Sequence, residues 1–282
     1  MTRNDLGIRW LEHGMRILVS NDDGVYSPGI AALARAAADF GEARIVAPDV
    51  ERSSAGHSIT SSRPLSYKRT HHLPVEAYRV NGTPADCVAL GISQWDQVDV
   101  VLSGINLGPN LGNGIWHSGT LAAAKQAALM GVPGIALSIS LRKDEPDFDA
   151  LRPALYEVLS QLLPKPPSLL LNVNFPSEHP KGVLWTKQSV RFYDGKVVPG
   201  RDPMDRPHFW FTVVPITETE DGSDRWAVSR GFTSITPLRL DLTDHSELER
   251  AVARHGNAEA ERVRAEPPSG ADEPGVVDLN EK

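Results

Sequence analysis

Short apolar runs alternate with helical segments through the first two-thirds of the chain, and this alternation limits the possible folds more than any other feature. Buried strands are predicted by the apolar runs at residues 16–20, 43–47, 98–102, 134–138 and 169–174. Repeated βα units favour a mostly parallel sheet with helices on both faces. The sequence therefore predicts an α/β fold with a Rossmann-like three-layer core.

Two of the intervening helices have clear start signals. Ser27-Pro28 and Thr83-Pro84 each place a capping hydroxyl before a proline, and proline is favoured at the first helical position. The alanine-rich helix after Pro28 is predicted to end at Gly41. The polar stretch 54–80, by contrast, is predicted to be a hairpin or an excursion outside the core.

The pattern changes near residue 181, where short β-like segments lie among Gly, Pro and Asp. Residues 1–14 are interpreted as an N-terminal extension and residues 15–180 as the Rossmann-like core. Residues 181–244 are predicted to be a smaller β-rich extension used for oligomerisation. Residues 245–282 are predicted to form a C-terminal helix and a disordered tail, since the tail has few large apolar side chains.

Composition excludes several classes of function. The 282 residues carry a net charge of −7, which opposes binding to long nucleic acids. One cysteine, Cys87, excludes a disulfide framework and a cysteine-rich zinc site. Lys125, Gly131 and Pro133 interrupt the most apolar stretch, so no membrane span is expected. A cytoplasmic protein is the resulting expectation.

The first candidate functional segment is Asn21-Asp22-Asp23-Gly24, directly after the first predicted strand. In doubly wound folds, ligands bind beyond the carboxyl ends of the strands. Adjacent carboxylates repel each other unless a cation or protons offset their charge. Taken alone, the segment is better explained as a helix-entry turn, because Asp-Gly is common in turns and Asp is favoured at helix N-termini.

Two further segments also follow predicted strands. Ser53 lies in a polar loop after the second strand, and Asn106 lies in a Gly- and Asn-rich segment, 103–119, predicted to be a loop. Next comes a helix start at which Ser118, Gly119 and Thr120 resemble a phosphate cradle. It is not a Walker A loop, because no Gly-Lys-Ser/Thr follows; a glycine-rich linker is the alternative.

The three loops together offer hard oxygen ligands. Such ligands suit Mg²⁺, Mn²⁺ or Ca²⁺ better than zinc or copper. The candidate metal ligands are Asp22, Asp23, Ser53 and Asn106.

Several segments resemble one known family. The chain contains ILVSNDDGVYSPGI, VAPDVERSSAGHSIT, VNGTPADCV, VVLSGINLGPNLG, HSGTLAAA and GFTSITPL, in that order. These segments are similar to motifs of the SurE (survival protein E) family of 5′/3′-nucleotidases, and the resemblance runs from about Arg16 to Thr243. Three positions depart from the family pattern: Gln126-Ala127 replaces the usual Glu-Gly, and His117 replaces the frequent Tyr.

The resemblance implies a phosphomonoesterase that hydrolyses nucleoside 5′- or 3′-monophosphates. It implies one divalent cation per subunit, Mg²⁺ or Mn²⁺, at the four positions named above. Asp22 and Asp23 would also be catalytic, one of them orienting the attacking water. The β-rich part would exchange arms between subunits of a homo-oligomer, either a dimer or a tetramer.

Two other functions compete with this interpretation. A non-catalytic nucleotide- or metal-binding module could use the same loops, although binding phosphate alone needs no Asp pair. A nicotinamide-dependent oxidoreductase is disfavoured, because SNDDGVYSPG stands where GxGxxG would bind a pyrophosphate.

Overall fold

The structure is a computed structural model that describes residues 14–141, 146–163, 165–190, 195–213 and 218–256. The chain divides into two compact units, Met1–Leu240 and Asp241–Lys282. The predicted N-terminal extension before Gly14 and the predicted disordered tail from residue 257 lie outside the described residues.

The first unit is built around a sheet. Its strands are β1 (Met15–Ser20), β2 (Gly41–Pro48), β3 (Tyr67–Thr70), β4 (Glu76–Val80), β5 (Val100–Leu107), β6 (Gly134–Ile139), β7 (Leu170–Phe175), β8 (Val183–Trp185), β9 (Gly195–Arg201), β10 (Pro207–Val213) and β11 (Thr233–Pro237). In the described part, nine of them form one sheet in the order β3-β4-β2-β1-β5-β6-β7-β11-β8. The strands from β4 to β7 in this order pair in parallel, whereas β3 and β11 run antiparallel to β4 and β7. The predicted mostly parallel α/β architecture is confirmed.

Helices cover this sheet. They are α1 (Pro28–Ala38), α2 (Pro84–Gln94), α3 (Gly119–Leu129), α4 (Phe148–Leu162) and α5 (Asp224–Ser229), with a short 3-10 helix at Gly112–Trp116. Both predicted caps are present: the Ser27 hydroxyl accepts from the Ile30 N–H, and Thr83 and Asp86 form a capping box. Helix α1 ends at Ala38, close to the predicted end at Gly41. Gly41 itself begins β2, and a Cβ at this position would collide with the Met15 carbonyl oxygen.

Two apolar clusters lie on opposite faces of the sheet. Ile17 and Val19 of β1 pack in a cluster that also contains Leu33 of α1, while Leu18 packs in another with Val88 of α2. Successive strand residues point to opposite faces, so β1 is buried from both sides. This arrangement gives the three layers that the sequence predicted.

The direction in which successive strands are added to the sheet reverses at β1. Strand β2 lies on one side of β1 and β5 lies on the other. In open α/β sheets this topological switch point leaves a crevice at the carboxyl ends of the strands. A ligand site is therefore expected between the loops that follow β1 and β5.

The stretch 54–80 differs from its prediction. Strands β3 and β4 do form an antiparallel hairpin, but β4 also pairs in parallel with β2. Its residues Ala77 and Val80 are buried. The stretch therefore contributes to the core sheet instead of lying wholly outside it.

The prediction of a loop over residues 103–119 is also partly wrong, because β5 continues to Leu107 and residues 112–116 form a 3-10 helix. The pairing of β5 with β6 shifts between Ser103 and Asn106, as in a β-bulge. Gly104, with φ +141°, allows this, since a Cβ there would collide with the Leu137 carbonyl oxygen. Glycine is common at such bulges.

The β-like segments after residue 181 belong to two different sheets. Strands β8 and β11 join the main sheet beyond β7. Within the described ranges, β9 and β10 pair only with each other, as an antiparallel ribbon. The second unit contains α6 (His245–His255), which begins after the Asp244 cap.

No helix among the described residues is long and apolar enough to cross a membrane. The predicted domain boundaries and the oligomerisation role stay predictions.

Candidate functional site

A cleft of about 870 Å³ opens at the switch point of the sheet. It is lined by Asp22, Asp23, Gly24, Val25, Tyr26, Ser27, Pro28, Asp49, Val50, Glu51, Ser53, Ser54, Asn106, Leu107, Asn110, Gly114, His117 and Ser118. The structure thus brings together all four predicted metal ligands and one of the three predicted phosphate-binding residues.

The loop after β1 is a tight turn fixed by its own side chains. The Asn21 side-chain amide donates to the Gly24 carbonyl at 3.0 Å and to the Ser27 hydroxyl at 2.8 Å. Gly24 has φ +98°, a conformation that favours glycine, and the Val25 N–H donates to the Pro48 carbonyl at 2.9 Å. The two carboxylates therefore lie on a rigid segment.

Asp22 is buried against the start of α3. Its side chain is only 4% exposed, and its Oδ1 accepts from the Thr120 hydroxyl at 2.8 Å. A Cβ on Gly119 would lie 2.6 Å from the Asp22 Cβ, so glycine is needed for this approach. Burial raises the pKa of Asp22, while hydrogen bonds from Thr120 act in the opposite direction.

Asp23 is less buried but is strongly affected by its neighbour. Burial, followed by the charge of Asp22, raises the pKa of Asp23 to about 6, although a hydrogen bond from the Leu107 backbone opposes the shift. Its Oδ2 is buried without a hydrogen-bond partner among the described residues. A cation beside the two carboxylates would offset both their repulsion and this unsatisfied oxygen.

Ser53 and Asn106 supply neutral oxygens to the same cleft. The Ser53 hydroxyl donates to Glu51 Oε1 at 2.7 Å in an exposed loop. The Asn106 side-chain nitrogen donates to the Gly108 carbonyl at 2.7 Å, which leaves Oδ1 as the ligand atom for a cation. Within the described ranges, no three His, Cys, Asp or Glu side chains are grouped to hold a metal. The candidate set instead combines two carboxylates with two neutral oxygens, a combination that suits a hard divalent cation.

Ser118 is the N-cap of α3, because its hydroxyl accepts from the Leu121 N–H at 3.0 Å. It also lines the cleft. Thr120 is fully buried, and its hydroxyl already donates to Asp22. The structure therefore places Thr120 as a support for Asp22. Contact of Gly119 and Thr120 with a phosphate stays a prediction.

Asn110 is a cleft residue that the sequence analysis missed. Its side-chain nitrogen donates to Ser138 Oγ at 2.8 Å and to Thr120 Oγ1 at 3.3 Å. Its carbonyl accepts from the side chains of Asn172 and Asn174 on β7. Two asparagines two residues apart in a buried strand share a face of the sheet, and this pattern was the available signal.

Asp224, at the start of α5, was missed as well. It is fully buried and accepts from the backbone N–H groups of Gly112, Ser189 and Arg225 at 2.8, 3.0 and 2.7 Å. Burial raises the pKa of Asp224, and these hydrogen bonds oppose the increase. Asp224 therefore holds the loop between β5 and α3 from a position more than a hundred residues away.

Two of the positions that depart from the family pattern, Gln126 and His117, lie beside the Ser53 loop. His57 Nε2 lies 2.9 Å from Gln126 Oε1 on α3, and the Gly56 N–H donates to the His117 carbonyl at 3.1 Å. The Gln126 side chain and the backbone of His117 therefore hold the loop that carries Ser53 against the start of α3.

Comparison with known proteins gives a consistent result. Residues 17–195, more than half of the chain, match the family model described as survival protein SurE. A protein named 5′-nucleotidase SurE 1, from Thermus thermophilus, is 49% identical over 83% of this chain and 96% of its own length. The 5′-nucleotidase SurE of Deinococcus radiodurans is 44% identical over 81% of this chain and 88% of its own. The crystal structure of the SurE protein from Aquifex aeolicus is 36% identical, with a TM-score of 0.74, and covers 85% of this chain and 99% of that one.

Proposed function

Because the chain belongs to the SurE family, we propose that it is a 5′-nucleotidase that hydrolyses nucleoside 5′-monophosphates to a nucleoside and phosphate. The observation that carries this proposal is the adjacent pair of buried Asp22 and partly buried Asp23 at the switch point of the sheet. Relatives 40–49% identical to this chain have the name 5′-nucleotidase SurE. Action on 3′-monophosphates in the same cleft belongs to the proposal.

The proposed cofactor is one divalent cation per subunit, Mg²⁺ or Mn²⁺. It would be held by Asp22, Asp23, Ser53 and Asn106, which line one cleft. The unpartnered, buried Oδ2 of Asp23 supports this assignment, because a buried carboxylate oxygen is costly unless it is paired. When bound, such a cation lowers the pKa of a bound water and offsets charge on the phosphoryl group.

The side chains of the protein have separate tasks in this mechanism. Thr120 fixes the orientation of Asp22, and Asp23 is the carboxylate that would orient the attacking water. Ser118 and the N-terminus of α3 would receive phosphate oxygens, because the positive end of the helix dipole favours anions there. The reaction therefore depends on positioning and electrostatic stabilisation by groups from two loops.

The proposed substrates are small. A volume of about 870 Å³ is in the range of pockets that bind a small organic ligand. A chain of net charge −7 repels a long polyanion, whereas a single phosphate is drawn to a bound cation. Nucleoside monophosphates are therefore expected to be hydrolysed in preference to phosphorylated DNA or phosphopeptides.

Activity assays on metal-stripped protein test the proposal directly. We expect no hydrolysis of 5′-AMP after treatment with EDTA, and recovery after addition of Mn²⁺ or Mg²⁺. Full activity in metal-free protein would refute the metal assignment. Nucleotide binding without turnover at any divalent ion would favour the non-catalytic binding module. A higher kcat/KM on 5′-phosphorylated DNA or a phosphopeptide would refute the proposed substrate class.

We also propose that the protein is a homo-oligomer, a dimer or tetramer, formed through the ribbon of β9 and β10. Phe209, Trp210 and Phe211 of β10 are 66–70% exposed, and Val197 of β9 is 54% exposed. Neighbouring apolar side chains of this size on a surface mark interaction sites. The double variant Phe209→Lys/Phe211→Lys should therefore shift the protein towards monomer in light scattering, and an unchanged mass would refute this role.

A further inference from the structure

Tyr26 presents an exposed aromatic ring to the proposed active-site cleft. The side chain is 63% exposed, although its neighbour Val25 is completely buried. Among the described residues that line the cleft, Tyr26 and His117 are the two with aromatic rings. A ring this exposed adds little to the core, because the stabilisation of an aromatic side chain depends on the area it buries. The ring is instead available for contact with a ligand in the cleft.

The ring is nevertheless held at both ends. At the backbone, the Ser27 N–H donates to the Gly24 carbonyl at 3.1 Å, which closes a turn with Tyr26 near its tip. At the far end, the Tyr26 hydroxyl lies 2.5 Å from Thr70 Oγ1 at the end of β3. Thr70 is itself buried. The Tyr26 side chain is thus already ordered in the free protein, so a ligand that contacts it loses less free energy to the ordering of this side chain.

The position of the ring suits the shape of a nucleotide. Asp23 and Tyr26 are three residues apart, so their Cα atoms are separated by at most about 10 Å. The turn at Gly24 makes the actual separation shorter than that of an extended chain. In a nucleoside monophosphate, a ribose separates the phosphate from the flat base. A phosphate near Asp22 and Asp23 would therefore leave the base within reach of the Tyr26 ring.

We propose that Tyr26 is a specificity-determining residue whose ring stacks on the nucleobase of the substrate. The inference rests on the proposed nucleotidase function and adds the feature of the substrate that is recognised. Every base has a π-face, so stacking selects for the presence of a base without selecting which base. The protein should thus discriminate nucleotides from sugar phosphates through Tyr26 while accepting several bases.

The test compares two substrates that share the same phosphoester. 5′-AMP and ribose 5-phosphate are assayed with Mn²⁺-loaded wild-type protein and with Tyr26→Ala. We expect kcat/KM for 5′-AMP to fall about tenfold to a hundredfold in the variant, mainly through KM. The value for ribose 5-phosphate should stay within about twofold. Equal losses on both substrates, or a loss on neither, would overturn the proposal.

Matched variants separate the ring from its hydroxyl. Tyr26→Phe keeps the ring, and Thr70→Val removes the hydrogen-bond partner, so both should keep kcat/KM for 5′-AMP within about threefold. Trp116→Ala removes another exposed aromatic ring, which is 51% exposed and does not line the cleft. It should have no selective effect on 5′-AMP. A selective loss in Tyr26→Phe as large as in Tyr26→Ala, or a selective loss in Trp116→Ala alone, would refute stacking on Tyr26.

Binding of adenosine to the Mn²⁺-loaded protein gives a second measurement that needs no turnover. Equilibrium dialysis should show a Kd for adenosine at least about fivefold higher in Tyr26→Ala than in wild type. If neither phosphoester is hydrolysed, the nucleotidase proposal fails while the dialysis still tests the ring. If both are hydrolysed and the Kd is unchanged, the nucleotidase proposal stands and the stacking proposal fails. Tyr26→Leu replaces the alanine variant if the latter does not fold.

Discussion

Two of the loops that line the cleft are held in place by different means. In the first loop, residues 21–27 after β1, the Asn21 side chain makes two hydrogen bonds within six residues, and the Val25 N–H adds a bond to Pro48 at the end of β2. The second loop, residues 108–118 between β5 and α3, is fixed from far along the chain by Asn172, Asn174 and Asp224. The turn of the first loop is thus closed by its own side chain, whereas the second loop is held by side chains more than fifty residues away.

This difference matters because the two loops are connected. The first loop carries Asp22 and Asp23. The second loop is bonded to β7 and α5, and it places Asn110 beside Thr120. Because Thr120 donates to Asp22, one side chain links the distant contacts of the second loop to the first loop.

The largest effect is expected at the junction of the two loops. Asp22→Asn removes one charge from the proposed metal site and changes the acceptor of the Thr120 hydroxyl. We expect kcat/KM for 5′-AMP to fall on the order of a hundredfold or more at saturating Mn²⁺. The matched control is Asp39→Asn at the exposed end of α1, which should leave activity unchanged. If Asp22→Asn folds and retains activity within about threefold of wild type, Asp22 is not a metal ligand.

The next effect tests the dependence of the second loop on distant contacts. In Asp224→Asn, an amide group replaces a buried carboxylate that accepts three backbone N–H groups. The free energy of unfolding should fall by about 1–3 kcal/mol, because a buried donor is left without an acceptor. Hydrogen exchange should increase in residues 108–118 and stay unchanged in residues 21–27. Increased exchange in both loops would show that the two are not independent.

Its local counterpart is Asn21→Ala, which removes the donor to Gly24 and Ser27. Exchange should then increase in residues 21–27 while the second loop keeps its wild-type protection. Asp224→Asn and Asn21→Ala therefore each serve as the control for the other. Reversed patterns would refute the distinction between locally and distantly held loops.

A smaller effect concerns pH and the first loop alone. Burial and the charge of Asp22 raise the pKa of Asp23 to about 6 in the metal-free protein, above its ordinary value of 3.8. Protons and the cation therefore compete for this carboxylate below about pH 6. Apparent Mn²⁺ affinity, measured by titration calorimetry, should fall up to about tenfold per pH unit below that value. An affinity that is flat between pH 7 and pH 5 would exclude Asp23 as a ligand.

The same shift has a defined sign for stability. Because the folded state raises the pKa of Asp23, this group favours the metal-free fold most below pH 3.8, and that contribution is lost as pH rises through about 6. Asp23→Asn should therefore raise the Tm of metal-free protein at pH 8 while abolishing activity. An equal or lower Tm in the variant would contradict the pKa argument.

The contrast between the loops also explains what the sequence could predict. The first loop, its Ser27 cap and the carboxylate pair were visible because each signal lies within a few residues of its partner. The proposed metal ligands could be grouped from the sequence because parallel strands end at one edge of the sheet. Asp224 gave no comparable signal, since a carboxylate at a helix start is ordinary until its distant partners are known.

The errors have the same cause. Glycines at 104 and 108 suggested a loop, but β6 imposes strand pairing on β5 up to Leu107. The polar character of 54–80 suggested an excursion, but β2 recruits β4 into the sheet. Pairing partners far along the chain decided both segments, and the local composition could not reveal them.

The smallest effect is expected where the Ser53 loop meets α3 through an exposed contact. His57 Nε2 and Gln126 Oε1 lie 2.9 Å apart, and an exposed hydrogen bond contributes only about 0.5 kcal/mol. His57→Ala and Gln126→Ala should each change kcat/KM by less than about threefold, and the double variant should be no worse than either single one. Gln126→Glu keeps an acceptor for His57 and restores the residue usual in the family, so it should remain within about twofold of wild type. A change of tenfold or more in Gln126→Glu, with the thermal stability unchanged, would show that this position acts on the substrate and that the Ser53 loop is controlled by more than the contact to His57.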